Sequence, residues 1–289
     1  MNGNDTPIRK VAIVVRPRSQ EALGQGARMK SWLKKKGLGS IVATTDDPVL
    51  QSAITGGEID LLLALGGDGT MLRAGHLAAP HGLPILGINL GKFGFLMQLS
   101  SDDWKQALPR LLDGDYKIET RMMLKAEQWR GDEILSTHQV INEVVVCRGQ
   151  VVRPIRIHAM VDGYMLAGYV ADGIIAATPT GSTAYALAVG GPIMPPELRN
   201  ILIVPVAPHL SMDRAVILPE GASVSISVDS DHQAVMSVDG HEPVLIDNED
   251  CVRVTASERS VKFVVFQDPG YFYRNLSHYM EQNPSIGDL

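Results

Sequence analysis

Hydrophobic positions follow two patterns along this chain, and the change falls near its middle. In the first part, unbroken aliphatic runs alternate with stretches of helical spacing. Val11-Ala12-Ile13-Val14-Val15 predicts a strand buried on both faces, because neither alternate position is polar. Residues 19–36 carry apolar positions at helical intervals and end in Lys34-Lys35-Lys36-Gly37, a C-terminal stop. A short strand is predicted over 40–44 and a second buried strand over 59–65. A helix over 70–79, a strand over 84–89 and a helix over 101–112 follow, the last with Ser101-Asp102 at its cap. This alternation predicts a parallel sheet with helices on its faces. Such sheets bind ligands beyond the C-terminal strand ends, where Asp68 and Asn89 would lie.

After Gly114 the texture becomes strand-like. Residues 116–177 hold several β-rich segments broken by turns such as Arg130-Gly131-Asp132 and Asp162-Gly163. The pattern resumes at 223–228, 234–238, 243–246 and 251–255, and helical spacing is scarce. The predicted fold is an α/β, Rossmann-like N-terminal domain plus a β-rich, β-sandwich-like C-terminal domain. The expected division is 1–117 for the α/β domain, 118–260 for the β-rich domain, and 261–289 for a strand and helix returning to the first.

Composition narrows the function classes. The chain has 289 residues, 45% hydrophobic and 20% charged, with a formal net charge of −6. It holds no long basic block, which argues against nucleic acid as the partner. Cys147 and Cys251 sit in apolar, strand-like stretches and read as buried, inert thiols. Residues 1–10 are polar and lack the apolar core of a signal peptide. No apolar run reaches membrane-spanning length. The expectation is a cytoplasmic protein without a membrane partner.

The richest chemistry lies at Gly66-Gly67-Asp68-Gly69-Thr70, directly after Leu61-Leu62-Leu63-Ala64-Leu65. Glycines let the backbone turn sharply and approach a ligand. Their amides, with the start of the following helix, suit a phosphate. A carboxylate is an odd companion for phosphate binding alone. Asp68 makes sense as a metal ligand or as the acceptor of a proton from an attacking hydroxyl. The plainer alternative is a tight turn with Asp68 as a helix cap.

A second constellation is Asp172-Gly173, then Thr178-Pro179-Thr180-Gly181-Ser182-Thr183-Ala184-Tyr185, then Gly190-Gly191-Pro192. Its backbone and hydroxyl groups offer many short donors to a polar ligand. Ser182-Thr183 can also cap a helix running from Ala184, the simpler reading. Asn142-Glu143 interrupts an otherwise apolar strand over 140–147, so at least one of the pair needs a polar partner or marks a site. His138, His158, His209 and His241 show no metal-ligand spacing. His241 stands apart because Asp239-Gly240-His241 forms a tight turn between two strand-like runs.

Taken in order and separation, these motifs resemble the NAD kinases over nearly the whole chain. The Gly-Gly-Asp-Gly loop is shared with lipid kinases and 6-phosphofructokinases; the threonine-rich segment is specific to NAD kinases. The resemblance implies transfer of the γ-phosphoryl group of ATP to the 2′-hydroxyl of the adenosine ribose of NAD, with Mg²⁺ carried on ATP and polyphosphate as a second candidate donor. It implies Asp68 as the base, Gly69 beside the ribose, Asn142 and Glu143 on the adenosine or ribose, and Asp172 near the nicotinamide. Thr183, Ala184, Tyr185, Ala186, Leu187 and Ala188 would line the dinucleotide pocket, with Phe95 packed beside it. Arg73, Arg153, Ala207 and His241 occupy positions that often touch the dinucleotide. A homo-oligomer, dimer or tetramer, is implied as well, and no dedicated protein metal site. Two positions depart from the family pattern: Ala188-Val189 replaces Ser-Ala, and Val170 stands where some members have an arginine, a loss that Arg153 is a candidate to offset. The competing readings are a diacylglycerol-type lipid kinase and a non-catalytic dinucleotide-binding regulator.

Overall fold

The computed structural model describes residues 7–91, 94–209, 212–266, 270, 272–274 and 276. The chain forms two compact units, Met1–Thr120 with Ser260–Leu289, and Arg121–Arg259.

The first unit is an α/β layer structure. Its elements are β1 (Lys10–Val15), α1 (Gln20–Lys35), β2 (Gly39–Ala43), α2 (Pro48–Thr55), β3 (Leu61–Gly66), α3 (Asp68–Ala78), β4 (Pro84–Asn89), β5 (Leu99–Ser100) and α4 (Trp104–Leu112). The strand order is β2-β1-β3-β4, parallel throughout. Near the chain's end Lys262 and Phe263 pair in parallel with Pro84 and Ile85. Every residue of β3 is buried, as expected of a central strand covered on both faces. Helix α1 starts where Ser19 Oγ accepts from the Ala22 amide at 3.2 Å. Helix α2 is held by Asp47 Oδ1 on the Val49 amide at 2.8 Å, with Pro48 pre-set for the first turn.

Two helix starts differ from the sequence pattern. Helix α4 begins at Trp104, not at residue 101. Ser101-Asp102 does not cap it; Asp103 Oδ2 instead accepts from the Ser100 amide at 2.9 Å and the Ser100 hydroxyl at 2.7 Å, tying the chain into a turn just before the helix. Helix α3 begins at Asp68, two residues earlier than its spacing suggests, with Gly67 in the capping position and no side-chain cap.

The second unit is a β-sandwich. It takes β6 (Lys117–Arg130) from Arg121 onward, then β7 (Glu133–Val140), β8 (Glu143–Arg148), β9 (Ile155–Val161), β10 (Tyr164–Ala171), β11 (Gly173–Ala177), the short α5 (Tyr185–Ala188), β12 (Asn200–Val206), β13 (Val216–Pro219), β14 (Val224–Asp229), β15 (Ala234–Val238), β16 (Val244–Ile246) and β17 (Asp250–Val265) as far as Arg259. One layer is the antiparallel sheet β13-β12-β11-β8-β15-β16. The other runs β10-β9-β14-β17, and β17 also pairs with β6 of the β6–β7 hairpin. Alternation along β8 explains the sandwich. Val144 and Val146 turn into the shared core with Ile157, Tyr169, Ile174, Ile226 and Met236. Val145 turns to the opposite face and packs with Ile175, Ala177, Ala186, Leu202 and Val204 beneath α5. Glu143 and Cys147 share Val145's face by the same period of two.

Both cysteines are free and only half-buried, not the fully buried thiols that their apolar neighbours suggest. No described helix is long and apolar enough to cross a membrane. The helix expected after a strand within residues 261–279 lies for the most part outside the described residues.

Candidate functional site

In the first unit the chemistry collects at the C-terminal end of β3. Gly66 ends the strand, Gly67 takes an extended conformation, and Asp68 opens α3. Asp68 is therefore the first helical residue and not a cap. Its carboxylate is fixed from outside the helix: Oδ2 accepts from the Phe95 amide at 2.9 Å and Oδ1 from the Leu96 amide at 3.2 Å. A carboxylate has about four lone-pair sites, so two amides orient it and leave capacity for a proton. Gly94 makes this approach possible, because a β-carbon at 94 would overlap the Asp68 carboxyl group. Gly67 and Gly69 are exposed, and Arg73, one helical turn beyond Gly69, is exposed too. Asn89 is buried at the matching end of β4, where its Oδ1 accepts from the Gly91 amide at 3.0 Å. Phe93, in the second glycine-rich turn, lies outside the described residues.

In the second unit the polar residues gather around a corner between β7 and β8. Asn142 is not inside a strand: β7 stops at Val140 and β8 begins at Glu143. The corner's own groups are tied on both sides. The Ile141, Asn142 and Glu143 amides donate to the Asp239 carboxylate at 2.8, 2.7 and 3.0 Å. The Ile141 carbonyl accepts from Thr178 Oγ1 at 2.6 Å, and the Asn142 carbonyl from the Thr178 amide at 2.8 Å. Thr178 Oγ1 also accepts from the Gly181 amide at 3.0 Å. Gly181 lies so close to the Asn142 backbone that any β-carbon there would collide with it.

With the backbone satisfied, three buried side-chain oxygens are left over. Asn142 Oδ1, Glu143 Oε2 and Thr180 Oγ1 have no hydrogen-bond partner among the described residues. Buried polar groups are nearly always paired, so three orphans around one corner make it a candidate place for a polar ligand. Burial pushes the Glu143 carboxyl up to about 8, reinforced by the Asp239 charge and opposed by a backbone hydrogen bond from Tyr185. At neutral pH Glu143 is therefore largely protonated and offers both a donor and an acceptor.

The hydroxyl-rich segment behaves differently from a capped helix. Residues Thr180–Thr183 form a single 3₁₀ turn, and the four-residue α5 follows after a kink at Ala184. Ser182 does not cap α5; it is buried, donating to the Pro179 carbonyl at 2.6 Å and accepting from the Met194 amide at 2.9 Å. Thr183 Oγ1 donates back to the Thr180 carbonyl at 3.1 Å. Ala186 faces the apolar cluster, while Tyr185 and Ala188 are exposed and Leu187 is half-buried.

At the far end of β8, Asp172 receives Arg148 Nε at 3.0 Å. Its amide donates to the Val206 carbonyl at 3.0 Å, next to Ala207, whose φ of 46° is unusual for a residue with a side chain. Arg148 and Asp239 are the residues that sequence reasoning missed. Arg148 ends an apolar run with nothing to set it apart, although its place one strand away from Asp172 follows once β8 and β11 are paired. Asp239 shows only as a turn residue, since its partners lie about a hundred positions earlier. His241 is exposed in that turn, and its charge, after burial, helps to lower the pKa of His138. Arg153 is exposed. Among the described residues no group of three or more His, Cys, Asp or Glu is placed to hold a metal ion.

A glycine-cornered strand–helix turn with one externally fixed carboxylate, on this pair of folds, defines a phosphotransferase. Family profiles agree: the ATP-NAD kinase N-terminal domain matches residues 49–116 and the ATP-NAD kinase C-terminal domain residues 141–266. The chain belongs to the NAD kinase family. The NAD kinase of Chloroflexus aurantiacus is 35% identical over 269 residues, covering 93% of this chain and 97% of the relative. That of Heliobacterium modesticaldum is 39% identical over 239 residues, covering 80% and 84%. Among solved structures, yeast NADH kinase complexed with NADH shares the fold, with a TM-score of 0.86 and 24% identity over 96% of this chain and 89% of that one. An NAD kinase from Archaeoglobus fulgidus in complex with ATP gives a TM-score of 0.74 and 25% identity over 96% of this chain and 100% of that one. The lipid-kinase and regulator readings find no support in these matches.

Proposed function

We propose that this chain phosphorylates NAD at the 2′-hydroxyl of its adenosine ribose, using ATP and releasing ADP and NADP. The observation that carries the reading is the Asp68 carboxylate, held by two backbone amides at the end of a buried strand where exposed glycines leave room for phosphate. The bond from the 2′-oxygen to the γ-phosphorus forms as the bond to the β-phosphate bridging oxygen breaks. The proton of the 2′-hydroxyl passes to Asp68. The amides of Gly67 and Gly69 face the phosphates and offset their charge, and Arg73 stands one turn along the same helix.

The dinucleotide is held by the second unit. Protonated Glu143, with Asn142 and Thr180, supplies unpartnered groups for the adenosine end. Asp172 with Arg148 serves the other end, and Tyr185 and the kinked segment after Thr183 lie over the sheet face. From Glu143 to Arg148 is five residue steps, about 17 Å at strand rise, a span suited to an extended dinucleotide and too long for a mononucleotide. Ala207, His241 and Arg153 complete the proposed contacts. Mg²⁺ in this reading arrives on the ATP phosphates, bound through them and not by a dedicated protein cage. The reading also carries assembly as a dimer or tetramer and a cytoplasmic location, where ATP and NAD are both plentiful.

The test is NADP formation by the purified protein from NAD, ATP and Mg²⁺, read with an NADP-specific dehydrogenase. Product is expected, and chelation of the metal abolishes it. A folded protein that yields no NADP overturns the reading; running polyphosphate in place of ATP fixes the donor.

A further inference from the structure

We propose that Asp239 is a positioning residue that sets dinucleotide affinity by holding the Ile141–Asn142–Glu143 corner from behind. This rests on the reading that Asn142 and Glu143 bind the dinucleotide.

The corner poses a specific problem. Across the gap after β7 and the first residue of β8, the three successive amides of Ile141, Asn142 and Glu143 converge on one place. Such a run of N–H groups forms a concave anion site. Asp239 fills it with a side chain from the far end of the unit: Oδ1 takes Asn142 and Glu143, and Oδ2 takes Ile141. Its own amide donates to the Glu143 carbonyl at 3.0 Å, one residue past the pairing of Val238 with Val144. To reach that place Asp239 adopts φ 49°, a conformation that asparagine, aspartate and glycine tolerate best.

The bonds on the corner therefore divide by role. Thr178 holds its carbonyls and Asp239 holds its amides, so neither Asn142 nor Glu143 spends a side chain on its own backbone. Asn142 Oδ1 and Glu143 Oε2 remain buried and unpartnered. Without Asp239 the natural relief is for the Asn142 carboxamide or the Glu143 carboxyl to turn back onto the stranded amides, which removes it from the ligand. Asp239 also faces Glu143 with a negative charge, which favours the protonated, donating form of that carboxyl against the opposing backbone hydrogen bond from Tyr185.

The experiment compares the wild type with Asp239→Asn and Asp239→Gly. Both replacements accept the positive φ, so the turn is not strained. Asparagine keeps one acceptor oxygen, and glycine keeps none. The expected result is a KM for NAD, and a Kd for NAD measured without ATP, that rise in the order wild type, Asn, Gly, by roughly tenfold or more for Gly. The KM for ATP and kcat stay within about threefold. Thermal melting identifies the folded fraction; if the glycine variant does not fold, the asparagine variant decides alone, with a rise of threefold or more expected. A KM and Kd for NAD within twofold of wild type overturn the proposal, as does a fall in kcat with KM unchanged. A wild type that makes no NADP yet binds NAD would sink the kinase reading and leave this one standing on the Kd series.

Discussion

Gly94 lies against the carboxyl group of Asp68, and no side chain fits between them. The two are 26 positions apart, and the close approach is what lets the Phe95 and Leu96 amides orient Asp68.

Gly94→Ala therefore displaces the carboxylate while leaving every group at the Asn142–Glu143 corner in place. A misplacement of about 1 Å in a reacting group costs on the order of 10²-fold in rate. The expected outcome is a kcat lower by that order with the Kd for NAD unchanged, from steady-state kinetics and calorimetry. Activity within threefold of wild type would show that Asp68 does not need this alignment.

Asp68→Asn keeps both amide contacts through its remaining oxygen only in part, but it removes the proton acceptor outright. General-base assistance is worth about 10²–10⁴-fold. NADP formation should fall by that range while NAD affinity stays within a few-fold. An active Asp68→Asn enzyme would sink the assignment of the base.

Glu143 makes stability depend on pH. Its folded value of about 8 lies above the ordinary value of 4.5. Between these, the unfolded chain releases the proton and the folded chain keeps it, so this group's contribution is complete below 4.5 and is lost as pH rises through 8. Glu143→Gln removes the effect. The ligand-free wild type should lose melting temperature relative to this variant between pH 5 and pH 8, by several degrees, at roughly 2–4 °C per kcal/mol. Parallel melting curves across that range would show that the carboxyl is not buried in its neutral form.

Thr178→Val preserves shape and deletes one hydroxyl. The Ile141 carbonyl and the Gly181 amide then lose the partner that both share. Each stranded buried group costs about 1–3 kcal/mol. The denaturant midpoint should fall accordingly, with the slope unchanged. A midpoint equal to wild type would mean that the corner finds other partners.

The α/β half of the fold is legible in the sequence because its strands are buried on both faces, as in the aliphatic run Leu61-Leu62-Leu63-Ala64-Leu65, and its helices carry local start and stop signals such as Ser19 and Gly37. Helix α2 escapes that pattern, being only eight residues long. Its Asp47-Pro48 start is a capping signal that spacing alone overlooks. The sandwich is legible as a class from its short, turn-punctuated strands, but its pairings are not. β8 joins β11 and β15, which are separated by thirty to ninety positions from it.

The candidate site divides in the same way. Glycines, the lone Asp68 and the Thr178–Tyr185 stretch stand out because their side chains suit no ordinary core or surface. Asp239, Arg148 and the Phe95 and Leu96 amides do not, since each acts through a partner that only the fold brings near. The simpler alternative for Ser182, a helix cap, fails for a related reason: the hydroxyl is spent on the Met194 loop, a contact twelve residues on that local pattern does not encode.

The first unit is discontinuous in sequence, closing its sheet with a strand that follows Ser260, whereas the second is one continuous stretch. On the ribosome this reverses the usual order of events. Synthesis runs from the N-terminus, yet the segment carrying Asp68 cannot complete its hydrophobic layer until Val264 has left the exit tunnel, and by then all of Arg121–Arg259 has already been made. The sandwich is free to become compact first, and the glycine loop acquires its final support only after the whole of the sandwich has been made.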